Sequence, residues 1–179
     1  YREVLIKNRY IQRTFILGSQ ERREKSIELK LNPVISEIRG KNVILVDDSI
    51  VRGTTSKKIV ELLRKAGARK VYFVSTCPPV LFPCYYGIDF PDRNELIAVD
   101  DNCTDLELIE NRIAKVLNAD GVVYQELSGL RESIMSNSSK KNYDPCVACL
   151  TGVYPTDIDG HSKLLDQRKI DEYLVNIFD

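Results

Sequence analysis

The fold is decided by the stretch Val43–Thr55, which reads VILVDDSIVRGTT. Its first four residues are uninterruptedly apolar, and the apolar run stops at two adjacent aspartates, Asp47 and Asp48. A short segment that is apolar on both faces is typical of a central strand in a parallel sheet, because helices cover both sides of such a sheet. The sequence therefore predicts a buried strand that ends at the aspartates.

A helix and a second strand follow this stretch. Beyond Gly53 the apolar residues recur at helical spacing, and Gly67 provides a stop signal for the helix. The apolar stripe consists of Ile59, Leu62, Leu63 and Ala66. Val71–Val74 is a second apolar run and predicts another strand. A strand, a loop, a helix and a strand within about 35 residues form a β-α-β unit.

The same alternation continues along the chain. Glu95–Val99 predicts a short strand, and Gly121–Tyr124 predicts a further one. Between them lies a helical pattern that Thr104 or Asp105 is placed to cap. The apolar face of that helix carries Leu106, Ile109, Ile113 and Leu117. The alternation predicts an α/β, doubly wound fold with a mostly parallel sheet.

The two ends of the chain are less regular. Val4–Tyr10 and Arg13–Leu17 are predicted to be short extended pieces, and the charged stretch Gly18–Ser26 a mobile loop. Polar residues from 137 to 145 predict a linker. We therefore assign residues 1–136 to one domain, and residues 137–179 to a linker and a small C-terminal extension.

Composition sets the broad class of protein. A chain of 179 residues is long enough for one buried core, so a single main domain is expected. Lys and Arg balance Asp and Glu at 26 each, and no nucleic-acid partner is predicted. The apolar runs are far shorter than the roughly 20 residues that cross a bilayer, so no membrane partner is predicted. Because the chain begins at Tyr1 without a signal pattern, we interpret it as the middle of a longer chain.

The turn after the first strand has the chemistry of an anion site. Ligands of open α/β sheets bind beyond the carboxyl ends of the strands, and this turn leads into a helix N-terminus, which favours an anion. Gly53 allows the backbone to approach a phosphate closely. Asp47 and Asp48 suit ribose hydroxyls, a hard cation such as Mg²⁺, or both. The hydroxyl donors of the turn are Ser49, Thr54 and Thr55.

These patterns alone also fit an ordinary capped helix that binds nothing. A P-loop requires the frame G-x-x-x-x-G-K-[ST], which neither Gly40 nor Gly53 supplies, and the dinucleotide fingerprint G-x-G-x-x-G does not occur. The residues by themselves leave the phosphate site and the plain helix start equally open.

Val43–Thr55 also closely resembles the motif with which type I phosphoribosyltransferases bind phosphoribosyl pyrophosphate (PRPP). Its particular form is similar to that of amidophosphoribosyltransferases, also called glutamine PRPP amidotransferases. Further segments resemble the same family in the same order, and the resemblance covers at least residues 5–155. They are Lys7–Tyr10 with Arg13–Ile16, Leu29–Pro33 and Tyr86–Asp89.

This resemblance implies a glycosyltransferase of the pentosyl class. The family forms 5-phosphoribosylamine from PRPP and glutamine-derived ammonia in the first step of de novo purine biosynthesis. Asp47 and Asp48 would contact the ribose hydroxyls and the PRPP-bound Mg²⁺, while the rest of the loop would hold the 5′-phosphate. That rest comprises Ser49, Ile50, Val51, Arg52, Gly53, Thr54 and Thr55. No side chain is expected to be a nucleophile or general base, so catalysis would rest on positioning, Mg²⁺ and the exclusion of water.

The resemblance also implies partners. Residues 7–26 match a flexible loop that closes over PRPP and helps to form an ammonia channel, and the ammonia would come from a glutaminase domain outside this chain. The chain resembles the back portion of the transferase half, without its pyrophosphate loop, so little turnover is expected of it alone. The family further implies a homotetramer. Two alternatives remain: a non-catalytic PRPP-binding regulatory domain, and a salvage phosphoribosyltransferase acting on a free base.

The five cysteines are irregularly spaced, which argues against a secreted disulfide framework and favours a cytoplasmic protein. On the residues alone, the C-x-x-C of Cys146 and Cys149 is open to four readings: a zinc half-site, a redox pair, an iron–sulfur half-site or chance.

The segments Phe82–Gly87 and Cys146–Gly152 resemble the ligand-bearing segments of the iron–sulfur subclass of amidophosphoribosyltransferases. This resemblance implies a [4Fe–4S] cluster whose fourth ligand lies outside this chain. Its three ligands here would be Cys84, Cys146 and Cys149. Cys77 and Cys103 are predicted to be buried thiols, and His161 a surface residue.

Overall fold

The computed structural model describes residues 1–8, 31–88, 92–100, 105–139 and 145–158. The strands within these ranges are β1 (Leu5–Lys7), β2 (Leu31–Pro33), β3 (Asn42–Asp47), β4 (Lys70–Ser75) and β5 (Gly121–Tyr124). The helices are α1 (Ile35–Ile38), α2 (Thr54–Lys65), α3 (Leu106–Leu117), α4 (Leu127–Asn137) and α5 (Ala148–Thr151). A 3₁₀ turn occupies Arg93–Glu95.

Three strands form a parallel sheet in the order β3-β4-β5. Val43 of β3 lies opposite Val71 of β4, and Phe73 of β4 lies opposite Val122 of β5. Each crossover contains a helix, α2 after β3 and α3 after β4. Strands β1 and β2 form a separate antiparallel pair, in which Ile6 lies opposite Asn32. The predicted α/β fold with a parallel sheet is confirmed.

The core lies between one face of this sheet and the two crossover helices. Val71 and Phe73 of β4 are fully buried on that face. The helices contribute Ile59, Val60, Leu63, Ile109, Ile113 and Leu117, all of them buried. The predicted apolar stripes of both helices therefore face the sheet, and their burial is the main stabilising contribution to the domain.

The other face of the sheet is open to solvent among the described residues. Ile44 and Val46 of β3 are 67% and 61% exposed, and Val123 of β5 is 52% exposed. These side chains alternate with half-buried and buried neighbours, as the two-residue period of a strand requires. The four apolar residues that predicted β3 are thus covered on one face only in this part of the structure.

The predicted strand at Glu95–Val99 is wrong. The structure has the 3₁₀ turn Arg93–Glu95 here, followed by irregular backbone. The carboxylate of Asp92 caps the turn by accepting a hydrogen bond from the Asn94 N–H at 3.0 Å. Beyond the turn, the N–H groups of Ile97 and Val99 donate to loop carbonyls, and an arginine side chain donates to the carbonyls of residues 97–99. The segment forms no strand ladder.

The helix boundaries follow the predicted signals. Asp105 caps α3, since its carboxylate accepts a hydrogen bond from the Leu108 N–H at 3.1 Å. Gly67, with φ of +90°, follows the last residues of α2 and ends that helix as predicted. None of the described helices has the length and apolar character needed to span a membrane.

Several elements were not predicted from the sequence. The helix α4 contains no buried residue, and α1 and β2 are only four and three residues long, so their apolar patterns are weak. The extended piece predicted at Val4–Tyr10 contains β1. The predictions for Arg13–Leu17 and Gly18–Ser26 lie outside the described residues, and the predicted linker begins at the last residue of α4.

Candidate anion-binding site

The loop after β3, residues 47–55, lies at the carboxyl end of the parallel sheet and leads into α2. Thr76, the residue directly after the neighbouring strand β4, supports it from the side. The N–H of Thr76 donates to the Asp47 carbonyl at 3.0 Å, and its hydroxyl lies 3.3 Å and 3.4 Å from the carbonyl oxygens of Asp47 and Asp48. These contacts hold the start of the loop at the edge where open α/β sheets bind ligands.

The two carboxylates are fixed by the backbone that follows them. Oδ1 of Asp47 accepts from the Asp48 N–H at 3.0 Å, and Oδ1 of Asp48 accepts from the Ser49 N–H at 2.6 Å. Burial raises the pKa of Asp47, the hydrogen bond from Asp48 opposes this change, and the Asp48 charge adds to it. A cation or hydroxyl donors bound here would offset both the burial and the repulsion.

The described residues contain no group of three or more His, Cys, Asp or Glu side chains placed to hold a metal ion by themselves. Two adjacent carboxylates nevertheless fit Mg²⁺, because this ion usually takes one or two protein carboxylates and completes its shell with substrate phosphates and water.

Gly53 forms the corner between the loop and α2. Its φ is +73°, in the left-handed region that favours glycine, and a Cβ at this position would collide with Cδ1 of Ile97. Its carbonyl accepts a hydrogen bond from the Lys57 N–H at 2.8 Å and so starts the helix. No described side chain caps the first turn of α2, and that turn contains no acidic residue. The first N–H groups of the helix are therefore suited to an anion.

The predicted site residues divide by their burial. Ile50 is 1% exposed and packs in the core, so it can serve a ligand only through its backbone. Val51 is half-buried, and its carbonyl accepts a hydrogen bond from the Ile97 N–H at 2.9 Å. The remaining side chains of the loop are at least partly exposed around the turn. They are Asp47, Asp48, Ser49, Arg52, Thr54 and Thr55.

A contact between residues far apart in the sequence lies beside the loop, and it was not predicted. Nε of Arg52 donates to Oε2 of Glu95 at 2.6 Å, although the two residues are 43 positions apart. No local pattern signals a pair of this kind. The apolar residues around Glu95 instead suggested a strand.

Three of the cysteines lie beside the residues that follow β4. Cys77, Cys84 and Cys149 pack around the buried side chains of Val80 and Leu96. Burial raises the pKa of Cys149, and nearby Cys84 and Cys146 raise it further, so all three predicted ligands lie in one region. They do not converge into a metal-binding group among the described residues.

Cys77, which was predicted to be a buried thiol, is half-buried, and burial raises the pKa of its thiol to about 11. Cys103 and His161 lie outside the described residues.

The segment 145–158 is anchored to residues 81–86 through its backbone and tyrosines. The N–H groups of Leu81 and Phe82 both donate to the Cys149 carbonyl at 3.0 Å. The hydroxyl of Tyr154 donates to the Pro83 carbonyl at 2.6 Å, and the ring of Tyr154 lies 5.0 Å from that of Tyr85. The C-x-x-C is thereby held next to Cys84.

Comparison with known proteins agrees with this geometry. Residues 2–114 match the Phosphoribosyl transferase domain family, and the chain belongs to that family. It is 49% identical over 159 residues to the amidophosphoribosyltransferase of Methanocaldococcus jannaschii, covering 89% of this chain and 31% of that protein. It is 42% identical over 174 residues to the amidophosphoribosyltransferase of Escherichia coli, covering 96% of this chain and 33% of that protein.

A solved structure gives the same result. The chain matches the glutamine phosphoribosylpyrophosphate (PRPP) amidotransferase from B. subtilis complexed with ADP and GMP, with a TM-score of 0.68 and 43% identity. The match covers 88% of this chain and 33% of that one. The predicted family resemblance is confirmed, and the chain spans about a third of the length of these relatives.

Proposed function

We propose that this chain is the PRPP-binding portion of an amidophosphoribosyltransferase, which forms 5-phosphoribosylamine from PRPP and glutamine-derived ammonia. The observation that carries the proposal is the loop 47–55. It combines two adjacent carboxylates, a positive-φ glycine and a helix start without a side-chain cap at the carboxyl end of a parallel sheet. The relatives from Methanocaldococcus jannaschii and Escherichia coli, which are 49% and 42% identical to this chain, bear the name of that enzyme.

In this proposal the loop binds the substrate in two parts. The backbone N–H groups and hydroxyls of residues 49–55 take the 5′-phosphate, and Asp47 and Asp48 take the ribose hydroxyls and Mg²⁺. When bound, Mg²⁺ neutralises charge on the pyrophosphate leaving group. The carboxylates favour the positive charge that develops on the ribose, and the fixed geometry of the loop lowers the entropic cost of the reaction.

We further propose that the 179 residues by themselves bind the ribose phosphate end of PRPP with little turnover. Ammonia from a glutaminase domain, closure of residues 7–26 over PRPP, a cytoplasmic location and a homo-oligomer are further parts of the proposal. They rest on the family resemblance.

A [4Fe–4S] cluster at Cys84, Cys146 and Cys149 is also proposed, with a fourth ligand from outside the chain. The packing of Cys84 and Cys149 in one cluster and the anchoring of the C-x-x-C next to Cys84 support it. Iron analysis of anaerobically purified full-length enzyme carrying these residues is the test. Cys149→Ala should abolish bound iron, while Cys77→Ala, in the same patch, should retain it. An unmodified enzyme without iron would exclude the cluster, and iron retained by Cys149→Ala would show that Cys149 is not a ligand.

Replacement of Asp48 tests the assigned site. In a full-length enzyme carrying these 179 residues, Asp48→Asn should lower kcat/KM for PRPP about a hundredfold, because it removes a charge that stabilises the transition state. The amide oxygen can still accept the Ser49 N–H, so the fold should be retained. Phosphoribosylamine formation measures the effect.

The matched control is Asp105→Asn, which removes one carboxylate at the start of α3 and leaves a good helix cap. It should leave kcat/KM unchanged. Unaltered kcat/KM in the Asp48→Asn enzyme would show that the loop is not part of the active site.

A further inference from the structure

Residues 95–99, the bracing segment, lie against the proposed phosphate loop and have no role in the function described so far. Its first contact is the 2.6 Å ion pair between Oε2 of Glu95 and Nε of Arg52. Its second is the 2.9 Å hydrogen bond from the Ile97 N–H to the Val51 carbonyl. The third is steric, since the Ile97 side chain occupies the space beside Gly53 that a Cβ would need. The three contacts fall on the consecutive loop residues 51–53.

The bracing segment is itself held by one side chain of α3. Arg112 donates through Nη1 to the Ile97 carbonyl at 2.9 Å, and through Nη2 to the carbonyl groups of Ala98 at 3.0 Å and Val99 at 3.4 Å. Its Nε also lies 3.7 Å from the carboxylate of Asp100. A planar guanidinium can hold several acceptors in one geometry, so Arg112 of the core helix α3 fixes residues 97–99 of the bracing segment.

Arg52 is the one basic residue of the loop 47–55. An exposed arginine has many rotamers, and ordering it when an anion binds costs conformational entropy. Glu95 removes part of this cost in advance by holding the guanidinium beside the turn. We propose that Glu95 is a positioning residue, which acts through Arg52 to keep the turn 51–53 ready for phosphate.

This inference rests on the proposed function, because it takes the anion to be the 5′-phosphate of a ribose phosphate. It predicts a change in phosphate affinity opposite in direction to the change that the charge of Glu95 alone would cause. Glu95 brings a negative charge toward an anion site, so its removal would tighten phosphate binding if charge alone mattered. If Glu95 positions Arg52, its removal weakens binding.

The test is isothermal titration calorimetry of the 179-residue chain with ribose 5-phosphate. Glu95→Ala should raise Kd about threefold to fivefold, as expected for the loss of a well-aligned ion pair. Glu95→Gln should stay within about twofold of the unmodified chain, because its amide oxygen still accepts from Nε of Arg52. In an Arg52→Ala background, Glu95→Ala should have no further effect.

The control is Glu61→Ala, which breaks the 3.4 Å pair with Lys58 farther along α2 and should leave Kd unchanged. Unchanged or tighter binding by Glu95→Ala overturns the inference. The inference is also overturned if Glu95→Ala raises Kd equally in the Arg52→Ala background. That result would mean that Glu95 supports the fold and does not act through Arg52. If the unmodified chain fails to bind ribose 5-phosphate, the proposed function falls together with the inference, and this result is distinguishable from the other two.

Discussion

At the residue scale, Gly53 meets two requirements at once. The loop needs a positive φ to turn from β3 into α2, and the bracing segment needs the space that a side chain at this position would fill. From the sequence, Gly53 was predicted only to let the backbone approach a phosphate closely, and the positive φ is a finding of the structure. The sequence could not reveal the second requirement, since Ile97 is distant along the chain.

The two requirements are separable by comparison with Gly40. Both glycines have a φ of +73°, but a Cβ at Gly40 would meet nothing within 4 Å. Gly40→Ala should therefore lower the unfolding free energy only by the cost of placing alanine in the left-handed backbone region, about 1–2 kcal/mol. Gly53→Ala should cost about 1–3 kcal/mol more, because Ile97 must move in a packed environment. Urea unfolding measures both, and equal losses would show that the contact with Ile97 is unimportant.

At the scale of elements, the sequence predicted the parts that carry strong apolar periodicity. The helices α2 and α3 were indicated by apolar residues at helical spacing, and the strands β3, β4 and β5 by short apolar runs. The failure at Glu95–Val99 has a clear cause, because Leu96 and Ala98 are 3% and 0% exposed and do alternate with less buried neighbours. Alternating burial resembles a strand, but Arg112 and loop backbone, instead of a neighbouring strand, make the hydrogen bonds of this segment.

The junction between α3 and β5 predicts a dependence of stability on pH. The carboxylate of Asp120 accepts from the Val71 N–H at 2.7 Å and from Nη2 of Arg64 at 2.6 Å. The Val71 hydrogen bond first, and then Arg64, lower the pKa of Asp120 in spite of some desolvation. A lowered folded-state pKa means that the ionised group contributes stability above its unfolded-state pKa. That contribution is lost as the pH falls through the folded-state value.

The free energy of unfolding should therefore decrease on acidification below about pH 4, where an ordinary aspartate becomes protonated. Asp120→Asn should be less stable at pH 7 and should show a smaller decrease. Chemical unfolding between neutral and acidic pH measures the difference. Parallel curves for the two proteins would show that Asp120 does not contribute.

At the scale of the whole molecule, the fold brings the proposed site and the bracing segment to one end of the sheet. The site motif was predictable because its carboxylates, hydroxyls and glycine are consecutive in sequence. The ion pair from Arg52 to Glu95 was not, because the helix α2 and the strand β4 separate the two residues in the chain. The assignments of residues 1–136 and 137–179 to separate parts remain predictions.

The central claim is that residues 49–55 bind the phosphate of a ribose phosphate. Its most direct test is the backbone amide NMR spectrum of the 179-residue chain during titration with ribose 5-phosphate and Mg²⁺. We predict that the amide signals of residues 49–55 shift, that ribose without phosphate shifts them far less, and that Gly40, before the start of β3, does not respond. Shifts confined to other regions, or equal shifts with ribose alone, would contradict the account.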